Sequence, residues 1–195
     1  MKKLLVCAAL AATALVPTAA NAQAIPGAIV AVVDVERVTS QCNACKTASA
    51  ALRSQLTAVQ NRSKALATPL ESEAKSIQAA VEALKGAQPD AALQARARAF
   101  QTRQQSAREE IARQEQQLQR NQQYIQQQIS QKLSPIFQQV MQRRGANILL
   151  EQGSTLATAT SVDVTTDVLT ALNSAMPSLA TVAPAQPRQQ QPQGR

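Results

Sequence analysis

The sequence predicts a mainly α-helical fold: a long antiparallel helical hairpin, a coiled-coil arm, set on a small strand-built oligomerisation body. Three observations predict it. Between residues 44 and 144 the only glycine is Gly86, and Ala, Gln, Leu, Arg and Glu dominate. Apolar residues recur there in a heptad rhythm. Leu56, Leu70, Ile77 and Leu84 form one row and Leu52, Val59 and Leu66 a second, three or four residues offset, which puts both on one narrow face. Short β-branched runs flank the helical stretch on both sides.

The elements follow in order. Lys2 and Lys3, an apolar run over 4–16 and Ala20-Asn21-Ala22 form a secretory leader, with cleavage expected after Ala22 and the mature chain expected in the periplasm. Cys7 lies ahead of the bulk of the apolar run, against a lipoprotein reading. The run is too short for a stable membrane span, and no second one approaches twenty residues. Ile29-Val30-Ala31-Val32-Val33, between Pro26-Gly27 and Asp34, reads as a strand buried on both faces. Thr39 or Ser40 is expected to cap a helix running to about Lys85, bent or interrupted at Pro69.

Gly86-Ala87-Gln88-Pro89-Asp90 marks the hairpin tip, with Pro89 expected in the first turn of the return helix over 91–144. Inward rows there are Leu93, Phe100, Ala107 and Ala97, Ile111, Leu118, Ile125. Gln104, Gln114, Asn121 and Gln128 share those rows, so the seam is partly polar and marginal in isolation. From Ile125 the spacing shifts through Ile129, Leu133, Ile136 and Val140, with a kink expected at Pro135. The reach is about 60–70 Å at 1.5 Å per residue.

Gly145 ends the helix and Ile148-Leu149-Leu150 forms a second strand. A loop covers 153–159 and a third strand is expected over 161–164. Thr165 is expected to cap a short helix with Val168, Leu169 and Leu172 inward. From Met176 the Pro-, Ala- and Gln-rich tail is expected to be disordered. The division is thus a leader over 1–22, a body from 23–39 and 145–175, an arm over 40–144 and a tail over 176–195. A body of some 45 residues is too small for a sufficient core and exposes strand edges. Joining copies removes both problems, with Ile29, Val30, Val32, Val33, Ile148, Leu149, Leu150, Val162 and Val164 as the assembly residues.

Composition narrows the function. There is no histidine, which removes the commonest general base and metal ligand. Asp34 and Glu36 share a strand face, but no nucleophile or acid–base partner stands near them in sequence. No cofactor and no enzymatic activity are expected. Removing Lys2 and Lys3 with the leader leaves 18 basic against 12 acidic residues, a net +6. Such a surface suits acidic proteins or transient contact with an anionic membrane. Nucleic acid is a poor partner for an exported chain whose only aromatic residues are Phe100, Tyr124 and Phe137. Arg96, Arg98, Arg103, Arg108, Arg113 and Arg120 are either solvated coil surface or a positive lining; Arg96, Arg103, Arg113 and Phe100 are the candidate client-binding set.

Cys42 and Cys45 form a C-x-x-C pair. Redox catalysis wants a thioredoxin-like βαβ context, absent here, and structural zinc wants two more soft ligands. An oxidising compartment favours a structural disulfide, within a chain or between subunits.

The strand 29–33 leading into Asp34-Val35-Glu36-Arg37-Val38, the hairpin, Ala146-Asn147-Ile148-Leu149-Leu150-Glu151 and Val162-Asp163-Val164-Thr165-Thr166-Asp167-Val168-Leu169 together resemble the OmpH/Skp family of periplasmic chaperones. The resemblance covers about 28–173. It implies a homotrimer whose three arms enclose a cavity, holding unfolded outer-membrane proteins without ATP. The Cys42/Cys45 pair, the Gln-rich, less lysine-rich arm and the Pro/Gln tail depart from that pattern, and because of the second departure no lipopolysaccharide site is carried over. The competing reading is a structural or adaptor coiled coil of the cell envelope with a fixed partner.

Overall fold

The computed structural model describes residues 26–185; the leader assigned to 1–22 and the end of the tail lie outside them. The order is β1 (Val30–Val33), α1 (Val35–Gln41), α2 (Asn43–Ala83), α3 (Ala91–Arg144), β2 (Ile148–Glu151) and α4 (Thr165–Ala175). α2 and α3 are the antiparallel arms of one hairpin, so the fold is mainly helical with a small sheet, as the periodicity predicts.

β1 and β2 pair in parallel, Val30 with Ile148 and Val32 with Leu150, and the whole hairpin is the crossover between them. The expected third strand is reduced to a single bridge. Residues 160–162 form a 3₁₀ turn, after which Asp163 bridges to Val32 and the Val164 N–H donates to the Val32 carbonyl at 2.8 Å. β1 is therefore flanked on both sides and its Ala31, Val32 and Val33 are buried, whereas Ile148 and Leu150 of β2 stay about two-fifths exposed.

Side-chain alternation sorts the sheet. Ala31, Val33 and Leu149 join the helical core, while Val30, Val32, Ile148 and Leu150 belong to the opposite face. The core is larger than the body alone supplies. Ile125, Ile129, Leu133, Ile136 and Val140 from the base of α3 pack with Val38, Cys42, Val164, Val168 and Leu172. The expected shortage of core rested on leaving the arm's base out of the body.

Helix starts differ from expectation. Asp34 caps α1, its carboxylate accepting the Arg37 N–H at 2.8 Å, so helix begins four residues ahead of Thr39. α1 stops at Cys42, whose extended ψ of 131° breaks the chain before α2. Thr39 and Ser40 instead return their hydroxyls to carbonyls of α1. Cys42 and Cys45 are joined by a disulfide within the chain, both sulfurs buried at this joint. α2 and α3 each continue through their prolines, Pro69 and Pro135.

At the tip, Lys85 and Gly86 both take positive φ, 46° and 95°, turning the chain out of α2. Asp90 caps α3 by accepting the Leu93 N–H at 2.8 Å; Pro89 therefore stands outside the helix, one residue before its cap. Thr165 does not cap α4 with its side chain. Its hydroxyl accepts the Asp34 N–H at 2.9 Å, and its own N–H goes to Asp163 at 2.8 Å. Asp163 also pairs with Arg37 at 2.9 Å. Burial penalises the Asp163 carboxylate, but the Thr165 and Arg37 hydrogen bonds outweigh it and hold the carboxyl below its ordinary range.

The tail is not disordered from Met176. Met176 is buried, Leu179 packs on the core, and the chain runs on along the base of the arm. Gln128 accepts the Ala180 N–H (3.1 Å) and donates to the Ala180 carbonyl (2.9 Å). Gln55 donates to the Thr181 carbonyl at 3.1 Å, and Asn121 accepts the Ala183 N–H at 2.8 Å.

Candidate functional site

The arm is a seam closed at intervals by polar pairs. From base to tip these are Gln55 with Asn121 (2.8 Å), the bidentate Arg62–Glu110 pair (2.6 and 3.1 Å), Glu73 with Arg103, and Ser76 with Arg96 (2.9 Å). Their order fixes the antiparallel register. The Arg62 hydrogen bond holds the Glu110 carboxyl below its usual range, against a smaller desolvation effect.

Between the Arg62–Glu110 and Glu73–Arg103 pairs the helices leave the seam unfilled. A groove of about 480 Å³ opens there, lined by Leu66, Leu70, Phe100, Ala107, Arg108 and Ile111 among others. A smaller one of about 270 Å³ lies by Leu66, Pro69, Leu70, Arg103 and Ala107. The cause is side-chain volume. Ala74 and Ala107 are half-buried in the lining of the larger groove, where larger residues would fill more of the space, and Ala67 and Ala112 line it from exposed positions. Leu66, Leu70, Phe100 and Ile111 stay only half-buried.

The sequence-derived set is thus distributed. Phe100 lies in the larger groove and Arg103 beside the smaller. Arg96 and Arg103 both reach Glu73 across the hairpin, and Arg113 pairs with Glu109 on its own helix at 3.9 Å. Arg108, Leu66, Leu70 and Ile111 complete the larger groove but were not in that set. Their heptad positions mark them as seam; the signal that would single them out is the alanines around them. Leu56, placed in the seam by spacing, is 45% exposed, and Gln55 takes its place facing α3.

The predicted assembly residues also separate. Val32, Val33 and Val164 are buried within the chain, and Leu149 packs on its core. Val30 and Val162 are half-buried. Ile148 (39%) and Leu150 (41%) leave apolar surface exposed on one sheet face, Ile29 (56%) is exposed just before β1, and Leu156 in the following loop is fully exposed. Among the described residues no cluster of three His, Cys, Asp or Glu side chains could hold a metal, and no helix is long and apolar enough to cross a membrane.

Comparison with known proteins agrees with this architecture. The chain matches the family described as outer membrane protein (OmpH-like) over residues 29–172. Among solved structures it is similar to a candidate outer membrane chaperone (OmpH-like) from Caulobacter crescentus. That likeness has a TM-score of 0.68 at 22% identity, covering 85% of this chain and 95% of the other. No curated protein matches. With the matched span running from β1 into α4, this chain belongs to the OmpH-like outer membrane protein family.

Proposed function

We propose that this protein is an ATP-independent holdase chaperone of the periplasm. In this reading it is a homotrimer that keeps unfolded outer-membrane proteins from aggregating between its helical arms. The observation that carries the reading is the unfilled apolar groove half-way along the hairpin, between ion pairs that keep the helices in register. A groove lined by half-exposed Leu66, Leu70, Phe100 and Ile111 takes apolar side chains without demanding a shape. One leucine-sized side chain buried there contributes roughly 1.5–3 kcal/mol at most, so holding must sum over several weak contacts. A trimer supplies the repetition. The exposed face of Ile148 and Leu150, with the outer edge of β2 and the nearby Ile29, is the surface through which copies would join.

The family match and the structural likeness support a chaperone role through the Caulobacter crescentus protein. The net positive charge favours acidic clients and would speed their capture, an effect that salt screens.

The test dilutes a urea-unfolded outer-membrane β-barrel protein into buffer with and without the mature chain, and follows its scattering. Suppression that needs no ATP, and that weakens severalfold when Leu70 and Ile111 are both changed to Ser, is the expected result. Undiminished suppression by the double variant would remove the groove from the mechanism. No suppression by the wild type would favour an adaptor with a fixed partner.

A further inference from the structure

The base of the arm carries a second polypeptide site, built to read main chain instead of side chains. Among the described residues, four side-chain hydrogen bonds hold 180–183, and every one goes to its backbone. Gln128 pairs with both the N–H and the carbonyl of Ala180, as a neighbouring β-strand would. Gln55 takes the Thr181 carbonyl and Asn121 the Ala183 N–H. Two of these amides are coupled, since Asn121 donates to Gln55 at 2.8 Å and accepts from Gln117 at 2.7 Å; Gln128 stands apart, its side chain also reaching the Tyr124 carbonyl of its own helix at 3.3 Å. Among the described residues no side chain of 180–183 takes part, and Val182 is 62% exposed. Met176 ties the end of α4 into the core, and within 179–183 the apolar anchor is Leu179, packed on that core.

A site that uses only main-chain groups and one apolar anchor has little means of telling its own segment from any other extended chain with small residues beside that anchor. We propose that this amide ladder is a binding site for extended, unfolded polypeptide, occupied in cis by residues 179–183, which a client displaces. The proposal rests on the holdase reading above and adds a site and an occupant to it. Occupation in cis keeps the ladder's polar groups satisfied, the buried Asn121 among them, when no client is present, and three of the four hydrogen bonds go to the half-buried Gln128 and Gln55, weak enough to exchange. The strap also lowers apparent client affinity by the fraction of time it is engaged.

The test uses the full mature chain. Ala180→Pro with Ala183→Pro removes the two N–H groups that Gln128 and Asn121 accept, releasing the strap without touching the ladder. If the strap is engaged nine-tenths of the time, this variant binds a urea-diluted outer-membrane barrel protein about tenfold more tightly than wild type. Adding Gln128→Ala is expected to abolish that gain; Gln128→Glu, which keeps the acceptor and loses the donor, is expected to retain part of it. In the wild type, hydrogen exchange at Ala180 and Ala183 is expected to be slow alone and fast with saturating client. Equal affinities for wild type and the strap-release variant, a gain that survives Gln128→Ala, or unchanged exchange on client binding would each overturn the ladder while leaving the holdase reading intact. Failure of both proteins to hold the client would overturn the two together.

Discussion

Side-chain amides and carboxylates do much of the work that backbone does elsewhere. Asn147 accepts the Ile29 N–H at 2.7 Å and donates to the Gly27 carbonyl at 2.9 Å, extending the sheet by one rung. Asn173 accepts the Asn43 N–H at 2.9 Å, at the start of α2. Asp163 is the most connected of these groups, joining Arg37 of α1 to Thr165 of α4. Its carboxyl titrates lower folded than unfolded, so its contribution is present above the unfolded value of about 4 and lost as pH falls below it. Asp163→Asn is expected to lower stability at pH 7 by about 1 kcal/mol and to flatten the loss between pH 5 and 3, read by denaturant melts at each pH. At the other joint, the Cys42–Cys45 bridge closes a very short loop. Changing both to Ala is expected to cost about 2 kcal/mol or less and leave client holding unchanged. Loss of holding in that variant would give the pair a role beyond stability.

At the scale of the element, the arm combines length with a thin seam. α2 has 41 residues and α3 has 54, giving lengths of about 60 and 80 Å. The hairpin and its tip were legible because periodicity and glycine content act over many residues, and one misplaced side chain does not change the outcome. Register was not legible to a single residue. Gln55 wins the inward position over Leu56 because it completes the Asn121 pair and reaches Thr181. The groove was hidden for a related reason: spacing marks who faces inward but not whether the volumes add up. Of the arginines read as a lining, Arg96 and Arg103 turn to Glu73, a partner that only the folded register brings near, while Arg113 pairs with Glu109 one turn back on its own helix. Deleting two heptads from each helix, 71–84 and 93–106, is expected to leave assembly unchanged by light scattering while reducing the amount of client held. Full capacity in the shortened arm would move binding to its base.

For the whole molecule, the distinction between internal core and exposed patch decides what a substitution reports. Val32 is buried within the chain, so Val32→Asp is expected to unfold the body itself. Leu150→Asp, on the exposed part of the same sheet face, is expected to give a folded chain of lower mass in light scattering. If Leu150→Asp assembles like wild type, the copies join elsewhere. The sequence did not separate these residues, because a β-branched run looks alike whether its neighbour is the same chain or another. It also hid the ordered start of the tail, whose Pro- and Ala-rich composition suggests disorder. Gln128, Gln55 and Asn121, more than 50 residues away from it in sequence, hold it in place.

The parallel pairing of β1 with β2 has a kinetic consequence. Val30 finds Ile148 only across 118 residues, a closure that is slow for a random chain. The hairpin shortens that search, since its own contacts form outward from a local turn and its zipping delivers the two strands side by side. The arm is therefore the body's folding template as well as its reach. Weakening the seam near the base, at Val59 or Leu118, should slow refolding of the sheet much more than it speeds unfolding, so the limb proposed to hold clients would also set how fast the protein itself matures.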